Sequence, residues 1–530
     1  MPKYAGARGK RGYILTEPKD YARRFVKGSS IVFAALIVAG FIGILMRMFL
    51  WRSLSLVDYG LFYATFTFIS LITLFRTVGL NDALTKYTPE FMLKKQYDKI
   101  RSSMAIIVLF QVLLTIPITL VLVFLSDPIA TVICGTSAAA AAPIFKILGL
   151  WFFVMAFYHI FRSTFQGFQD PITYASMEIV YILVTFLCVF FAAGVFRLGV
   201  DGVALGFLVG AAILVILWLV IFQKKYPHIL VGKLRIEKPL VKKITFFALP
   251  VFIGGIGGII LGYTDTIMLS IMRGPGEVAL YQTAQPLAQM LTYFPAALGV
   301  ILLPMTSELW AKREKELLGQ ALHLIMKFSF IIIIPAVFVF MAFPDTVIRS
   351  FAGVDYLPAV LTLQILTVAV IASTLLTILH CVVSGIGKPI IATKVIGTMA
   401  ALNFIGNLLL IPKYGTAGAA LTTFISGLVG LFLTLYLMRK LVKFTLPALP
   451  LFKTIMAGLL TLFFILLLKS IITLTPWWLK FIVVVAPGLL FYAAVILAMR
   501  TIDGQDFGLL KEVVPIPKRL VKIIGRFVRE

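Results

Sequence analysis

Long apolar runs, separated by short segments rich in Gly, Pro and charge, dominate the pattern of the chain. A helix that crosses a membrane needs about 20 mainly apolar residues, and most of these runs reach that length. The pattern therefore predicts fourteen spans, near residues 30–50, 59–79, 103–125, 140–161, 172–193, 200–222, 245–270, 278–304, 320–343, 358–384, 390–411, 416–438, 452–474 and 479–499.

The composition agrees with a chain that lies largely in lipid. Of its 530 residues 61% are hydrophobic and 13% are charged, and the mean hydropathy is +1.03. Soluble globular chains have about 45–50% apolar and about 25% charged residues. The three cysteines, Cys134, Cys188 and Cys381, each stand alone in an apolar run and offer neither a disulfide framework nor a zinc motif. We therefore expect an all-α polytopic membrane protein without a metal or a cofactor.

Basic residues set the expected orientation. Lys and Arg outnumber Asp and Glu by 48 to 22, a net charge of +26, and about three quarters of them fall on the side of the predicted membrane that holds both chain ends. Cytoplasmic loops carry such an excess. Both termini are therefore predicted to be cytoplasmic, in a multi-pass protein of the plasma membrane. Nucleic-acid binding is the weaker explanation of the charge, and no nucleic-acid partner is expected.

Two basic segments are predicted to contact anionic membrane lipid. The loop 223–243 carries seven Lys or Arg residues. In the tail, Lys518–Arg529 sets Lys518 and Lys522 on one helical side and Leu520 and Ile524 on the other, which is typical of a helix lying on an anionic leaflet. A frayed, solvated terminus is the alternative for the tail.

Three matches at nearly constant offset indicate an internal duplication. They pair Gln166–Pro171 with Ser384–Pro389 at 218 residues, Leu198–Leu205 with Tyr414–Leu421 at 216, and Asp58–Phe62 with Glu277–Tyr281 at 219. Each unit contains six spans, an even number, so both units enter the membrane from the same side and face each other across a central cleft. The predicted parts are a basic cytoplasmic arm (1–27), an N-lobe (28–222), a basic linker (223–243), a C-lobe (244–440), two accessory spans (441–500) and a basic amphipathic tail (501–530).

Polar side chains form a stripe along one face of the second span and along one face of the eighth, mostly at spacings of three or four residues. Such groups need partners in hydrocarbon, so a position facing the cleft is favoured. Hydrogen bonding between neighbouring helices is the alternative for any single residue. The stripes comprise Tyr63, Thr67, Ser70, Thr73, Arg76 and Thr77, and Gln282, Gln285, Gln289 and Thr292.

Three ionisable side chains inside spans are candidate cargo ligands. A charge there costs about 2.5–3.5 kcal/mol on insertion scales and usually has a function. Arg76 lies in the stripe of the second span, and Arg47 of the first span aligns with Asp265 of the seventh at an offset of 218. Snorkelling to the membrane surface is the alternative for Arg47 and Asp265. Arg162, which closes the fourth span, is predicted to be an interfacial anchor, with a role in the cleft as its alternative.

Two stretches carry a resemblance to a known family. Arg47–Phe62, followed by Val78–Ala83, resembles the opening of the polysaccharide-biosynthesis oligosaccharide flippases, and Ser384–Pro389, followed by Asn403, Asn407 and Leu410–Ala420, is similar to that family's second-half signature. The resemblance covers roughly residues 25–440. It implies membership of the multidrug, oligosaccharidyl-lipid and polysaccharide exporter superfamily, with two six-helix lobes, a central cavity, alternating access and commonly two further helices.

The resemblance also implies a cargo and residues that hold it. In that family the cargo is a polyprenyl-linked sugar whose phosphate is held by cationic residues on the first, second and eighth helices. Arg47 and Arg76 match the first two in kind, whereas the eighth helix here offers glutamines. A monomer is the expected state.

The sequence thus predicts a transporter that flips a lipid-linked oligosaccharide from the cytoplasmic to the outer leaflet during glycan biosynthesis. A cation-coupled multidrug antiporter of the same superfamily is the alternative. A membrane glycan polymerase or glycosyltransferase is a lesser one, because no loop carries an acidic metal motif, a nucleophile–base pair or a phosphate-binding Gly-rich turn. The protein is therefore not expected to be an enzyme.

Overall fold

The computed structural model describes residues 18–501, except residues 233, 443–445, 473, 475 and 476. Most of the predicted arm and nearly all of the predicted tail, including the amphipathic segment Lys518–Arg529, lie outside the described residues.

Within the described residues the chain is helical and contains no strand. The helices are α1 (Pro18–Ser53), α2 (Leu56–Thr77), α3 (Leu80–Leu93), α4 (Tyr97–Phe124), α5 (Ser126–Cys134), α6 (Ala138–Gly167), α7 (Pro171–Val189), α8 (Gly199–Lys225), α9 (Pro227–Leu230), α10 (Lys238–Arg273), α11 (Pro275–Gln289), α12 (Tyr293–Ala311), α13 (Lys315–Ala342), α14 (Pro344–Phe351), α15 (Val360–Gly385), α16 (Ile390–Met438), α17 (Ala448–Ile471) and α18 (Trp477–Ala498).

Twelve segments of the described chain are long and apolar enough to cross a membrane. Two features raise this number to the predicted fourteen. Gly415 has left-handed backbone angles (φ 55°, ψ −132°) and divides α16 into two crossings. The eighth crossing, predicted at 278–304, is made by α11 together with the first part of α12, and a 3₁₀ turn at Met290–Thr292 separates the two helices. The predicted class, an all-α polytopic membrane protein with two six-helix repeats and a further pair, is confirmed.

Four short helices, α3, α5, α9 and α14, were not among the predicted spans. They lie at the ends of the bundle and are too short to cross it. α3 is separated from α2 by Val78 and Gly79, both of which have positive φ. A left-handed residue ends a helix because it turns the chain away from the helical path.

The duplication inferred from the sequence recurs as a repeated contact. A Cβ atom built on Gly167 would lie 2.8 Å from the Cβ atom of Thr88, and one built on Gly385 would lie 2.7 Å from that of Thr306. Thr88 and Thr306 are themselves 218 residues apart. Each half therefore uses a glycine at the same place, because the neighbouring helix lies too close for a side chain.

The two halves meet along several helices. α2 of the first half packs against α10 and α11 of the second. Outside this contact between the halves, α17 packs against α13 and α18. We call the end of the bundle that carries residues 94–101, 223–232 and 234–243 the basic end, and the end that carries residues 52–58 and 274–278 the opposite end. At the opposite end, a Cβ atom on Gly60 would lie 1.9 Å from the Pro275 carbonyl oxygen, so the two backbones touch.

Candidate functional site

A cavity of about 310 Å³ lies between the two halves. Its walls come from α1, α2, α7 and α8 on one side and from α11 and α12 on the other. The lining residues are Gly40, Gly43, Ile44, Met46, Arg47, Tyr63, Phe66, Tyr181, Ile182, Phe207, Pro286, Gln289 and Tyr293. The walls are mostly apolar and aromatic with a few polar groups, as is typical of ligand sites.

Arg47 is the cation of this cavity and connects the two halves. Its Nη1 donates to the Tyr59 hydroxyl at 3.2 Å and to the Gln282 carbonyl at 3.2 Å. Its guanidinium carbon lies 4.6 Å from the centroid of the Tyr63 ring, a cation–π contact. The guanidinium is therefore engaged by groups inside the bundle. It is held by neutral groups, with no carboxylate among these partners.

Arg76 is buried beside α6 and has few partners. Its Nη1 donates to the Phe152 carbonyl at 3.3 Å, and its guanidinium carbon lies 5.3 Å from the Phe152 ring centroid. The side chain is 4% exposed, and its Nε finds no hydrogen-bond acceptor within the described residues. A guanidinium carries five donors, so most of the hydrogen-bonding capacity of Arg76 is unused.

The other stripe residues do not all face the cavity. Tyr63 and Gln289 line the cavity beside Arg47. Thr67 and Ser70 are buried in the packing of α2, and Thr73 donates to the Ser70 carbonyl at 2.6 Å.

The glutamines of α11 also separate. The side chain of Gln282 turns away from the cavity and donates to Thr266 Oγ1 at 2.8 Å. Only the backbone carbonyl of Gln282 accepts from Arg47. Gln285 is half-buried and does not line the cavity. The structure thus brings together Arg47, Tyr63 and Gln289, and it does not bring Gln282 or Gln285 side chains to them.

Asp265 belongs to a separate polar cluster in the second half. It is 4% exposed, so the bundle encloses its side chain. Its carboxylate accepts hydrogen bonds from Tyr281 Oη at 2.5 Å, from Asn407 Nδ2 at 2.6 Å and from Thr423 Oγ1 at 2.6 Å. Asn403 joins the cluster by accepting from Asn407 at 3.1 Å. A carboxylate that is buried without a cationic side chain among these partners is costly.

Asn403, Asn407 and Thr423 were missed as site residues by the sequence reasoning. The two asparagines stand four residues apart in an apolar span, so they share one helical face. That spacing was the available signal, since polar groups in hydrocarbon need partners. Nothing in the sequence, however, says that the partner is Asp265, which is 142 residues away.

A larger depression of about 500 Å³ lies at the basic end, between the start of α4 and the segment that follows α8. Arg101 organises it, because its side chain donates to the carbonyls of Ile229, at 2.5 Å, and Val231, and pairs with Asp98 at 2.9 Å. In the described part of the chain, no three His, Cys, Asp or Glu side chains are grouped so that they could share a metal ion.

Comparison with known proteins identifies the family. A family model described as "Polysaccharide biosynthesis protein" matches residues 25–310, more than half of the chain, and a MatE model matches residues 250–409.

Two curated relatives and one solved structure extend this result. An uncharacterized membrane protein of Methanocaldococcus jannaschii is 28% identical over 463 residues, which cover 86% of this chain and 91% of that protein. The probable low-salt glycan biosynthesis flippase Agl15 of Haloferax volcanii is 25% identical over 174 residues, or 33% of this chain and 37% of that protein. Among solved structures, the lipid II flippase MurJ in an inward closed conformation shares the fold, with a TM-score of 0.72 and 18% identity over 88% of this chain and 98% of that one.

Proposed function

The chain belongs to the polysaccharide biosynthesis protein family, and on that premise we propose that it flips a polyprenyl-(pyro)phosphate-linked oligosaccharide from the cytoplasmic to the outer leaflet by alternating access. The relative with a named biosynthetic role is a probable flippase for glycan biosynthesis. This relationship favours a transporter over a glycan polymerase or a glycosyltransferase.

The position of Arg47 is the observation that carries the proposal. A lipid-linked sugar must move an anionic, polar head across about 30 Å of hydrocarbon. Arg47 offers a guanidinium at a cavity between the two halves, and it bonds to groups of both. Arg suits phosphate because its planar fork donates two hydrogen bonds at once. A phosphate bound there would replace a neutral carbonyl and so would favour a change in the contact between the halves.

Arg76 supplies the second positive charge in this proposal. Its unsatisfied donors point to a group that arrives during the cycle, because a buried donor without a partner costs about 1–3 kcal/mol. Tyr63 and Gln289 would contact the sugar or the phosphate from the cavity walls. Thr67, Ser70, Thr73, Gln282 and Gln285 stay proposed cleft residues of the open states.

Orientation follows from the charge. We propose that the basic end faces the cytoplasm, since cytoplasmic loops carry the excess of Lys and Arg, and that the linker 223–243 contacts anionic lipid headgroups. In this orientation the cargo enters at the basic end and leaves at the opposite end.

The Asp265 cluster favours coupling to a monovalent cation, either a proton or an alkali ion. The Asp265 carboxylate is surrounded by the Tyr281 phenol oxygen, the Thr423 hydroxyl oxygen and the Asn407 amide nitrogen, all of which donate to it. A cation would offset the buried charge. The same cluster supports the second candidate function, a cation-coupled multidrug antiporter.

A reconstituted flipping assay separates the two functions. Purified protein in liposomes is given a fluorescent polyprenyl-pyrophosphate sugar, and the fraction accessible to an impermeant quencher is followed. We expect flipping by the wild type, a loss of at least about tenfold for Arg47→Gln, and no change for Arg349→Gln, an exposed arginine of α14. Transport of cationic dyes without any flipping of the lipid would favour the antiporter and would refute the proposal.

A further inference from the structure

Arg162 is bound to a carboxylate inside the bundle. Its Nε donates to Glu178 Oε1 at 2.7 Å, its Nη2 lies 2.6 Å from the same oxygen, and Nη2 also donates to Tyr174 Oη at 2.6 Å. The guanidinium carbon lies 4.8 Å from the Tyr174 ring centroid. Arg162 is 31% exposed and Glu178 is 20% exposed. The pair is therefore accessible, unlike a sealed structural ion pair.

The face of α7 that carries this pair is turned away from lipid. Tyr174, Glu178 and Tyr181 are spaced by four and three residues and share one helical face. Tyr181 lines the cavity between the halves. The exposed apolar residues of the helix, Ile172, Leu183 and Leu187, project about 120–180° away from Glu178 at 100° per residue.

The pair lies along a polar face that begins at the cavity. Tyr181 lines the Arg47 cavity, and Glu178 stands one turn before it on the same face of α7. Arg76 donates to the Phe152 carbonyl of α6, the helix that also carries Arg162. Polar groups thus continue from the Arg47 cavity towards Arg162 near the basic end of α6.

We propose that Arg162 is an anion site for a phosphate or pyrophosphate group, and that Glu178 occupies this site while the group is absent. The inference rests on the proposed function for the source of that group, a lipid-linked pyrophosphate that enters from the basic end. Tyr174 is the third ligand, because its hydroxyl is already within hydrogen-bond distance of the guanidinium. Arg162 thus receives the anion before Arg76 and Arg47.

A carboxylate is a suitable occupant because its oxygens accept from a guanidinium as phosphate oxygens do, and here one oxygen, Glu178 Oε1, meets both Nε and Nη2. Without Glu178 the empty protein would hold an uncompensated charge in the membrane, at a cost of about 2.5–3.5 kcal/mol on insertion scales. A pyrophosphate carries more negative charge than one carboxylate and can displace it. Glu178 therefore sets how strongly the anion binds, since the incoming group must compete with it.

The test compares Arg162→Gln, Glu178→Gln and the exchange variant Arg162→Glu/Glu178→Arg in the full-length protein in detergent. Farnesyl pyrophosphate is the lipid-linked probe, inorganic pyrophosphate is the free anion, and the affinity of each is measured by titration. Thermal unfolding of every variant is recorded in parallel.

A binding site predicts opposite effects for the two single variants. Glu178→Gln is expected to bind about tenfold more tightly and Arg162→Gln about tenfold more weakly than the wild type. The exchange variant is expected to keep the thermal stability of the wild type and to lose this binding, because its arginine is displaced to α7. If only farnesyl pyrophosphate responds, the source is the lipid headgroup; if inorganic pyrophosphate responds equally, the site recognises the free anion as well.

A purely structural ion pair predicts something else. The affinities of both single variants would then stay equal to that of the wild type or fall together, and the exchange variant would have the wild-type affinity. Affinities of this pattern overturn the inference, whereas a loss of thermal stability does not, because an unpaired buried charge destabilises the protein under both explanations. Flipping by the wild type in liposomes is measured separately, so failure of the Arg162 site and failure of the flippase proposal give different results.

Discussion

Lys243 Nζ lies 3.0 Å from Glu90 Oε2, and this ion pair joins α10 of the second half to α3 of the first. The ammonium group also lies 4.3 Å from the centroid of the Tyr87 ring. Beside it, Lys86 Nζ lies 4.0 Å from the centroid of the Phe247 ring. These contacts close the seam between α3 and α10 at the basic end.

We expect the Glu90–Lys243 pair to regulate access to the cleft from the basic end. Surface pairs are worth about 0.2–1 kcal/mol, and both side chains are 38% exposed. Reversing either charge alone should therefore open the seam more often, by roughly two- to fivefold. The measurement is the labelling rate of a cysteine at Gln289 by a water-soluble maleimide, in a protein whose native cysteines are replaced. The exchange variant Glu90→Lys/Lys243→Glu should return to the original labelling rate. An unchanged labelling rate in both single variants would show that the pair does not control access to the cleft.

The pH dependence of this closure has a definite sign. Hydrogen bonds from Lys94 and from Lys243 hold the pKa of Glu90 below its usual value of 4.5. A lowered pKa means that the contribution of the pair is present above the usual value and is lost only as the pH falls through the lowered one. Titration of Glu90 should thus not change the labelling rate of a cysteine at Gln289 between about pH 5.5 and 8. A rise in the Glu90-dependent part of the rate within that range would contradict the assignment.

Arg76 should behave as a residue that costs stability and serves transport. It is buried with one hydrogen bond and an unpartnered Nε, so an apolar side chain of similar length should fit at least as well. We expect Arg76→Met to keep or raise the midpoint of thermal unfolding while flipping falls by at least about tenfold. Arg76→Lys, which keeps the charge without the planar fork, should retain part of the activity. A variant that unfolds earlier but flips normally would show that Arg76 is a structural residue.

Asp265→Asn should remove the response to the coupling ion. The substitution places an amide donor opposite groups that already donate, from Tyr281, Asn407 and Thr423, so one or more hydrogen bonds are lost. In the wild type we expect sodium chloride, compared with choline chloride, to change the unfolding midpoint and the flipping rate. If the coupling ion is a proton, we expect a proton gradient across the liposome membrane to change the flipping rate. Glu277→Gln is the matched control, because Glu277 accepts from the Thr416 backbone at 2.9 Å, outside the cluster. Full ion dependence in Asp265→Asn would exclude the cluster as the coupling site.

Orientation can be tested at two exposed arginines. Arg235 lies in the linker at the basic end and Arg273 ends α10 at the opposite end. An impermeant thiol reagent should label Arg235→Cys only from the cytoplasm and Arg273→Cys only from outside, in intact cells compared with inverted vesicles. The reverse pattern would reject the proposed direction of transport.

Helical periodicity and the internal repeat account for most of what the sequence predicts. Both depend on positions within one helix or on a fixed offset, as for Gly167 and Gly385. Contacts between distant helices are not encoded in this way. The polar face of α2 is predictable, yet periodicity cannot say that Arg76 meets the Phe152 carbonyl, or that the Gln282 side chain turns to Thr266.

Charged residues near helix ends were the least predictable. Asp265 and Arg162 both allow snorkelling when only their position along a span is known. The structure finds a partner for each on another helix, Asn407 for Asp265 and Glu178 for Arg162. The sequence predicted Arg162 as an interfacial anchor and did not reveal its partner Glu178, because a carboxylate 16 residues away on the next helix leaves no periodic signal.

The backbone contact between Gly60 and Pro275 gives the molecule a mechanical asymmetry. At the opposite end the halves touch without intervening side chains, so no rotamer change can loosen them there. At the basic end they are joined by flexible lysine and glutamate side chains. With the stiff contact as a pivot, a rotation of about 10° would move atoms at the far side of a 30 Å membrane by about 5 Å. A small tilt at Gly60 is thus amplified at the basic end.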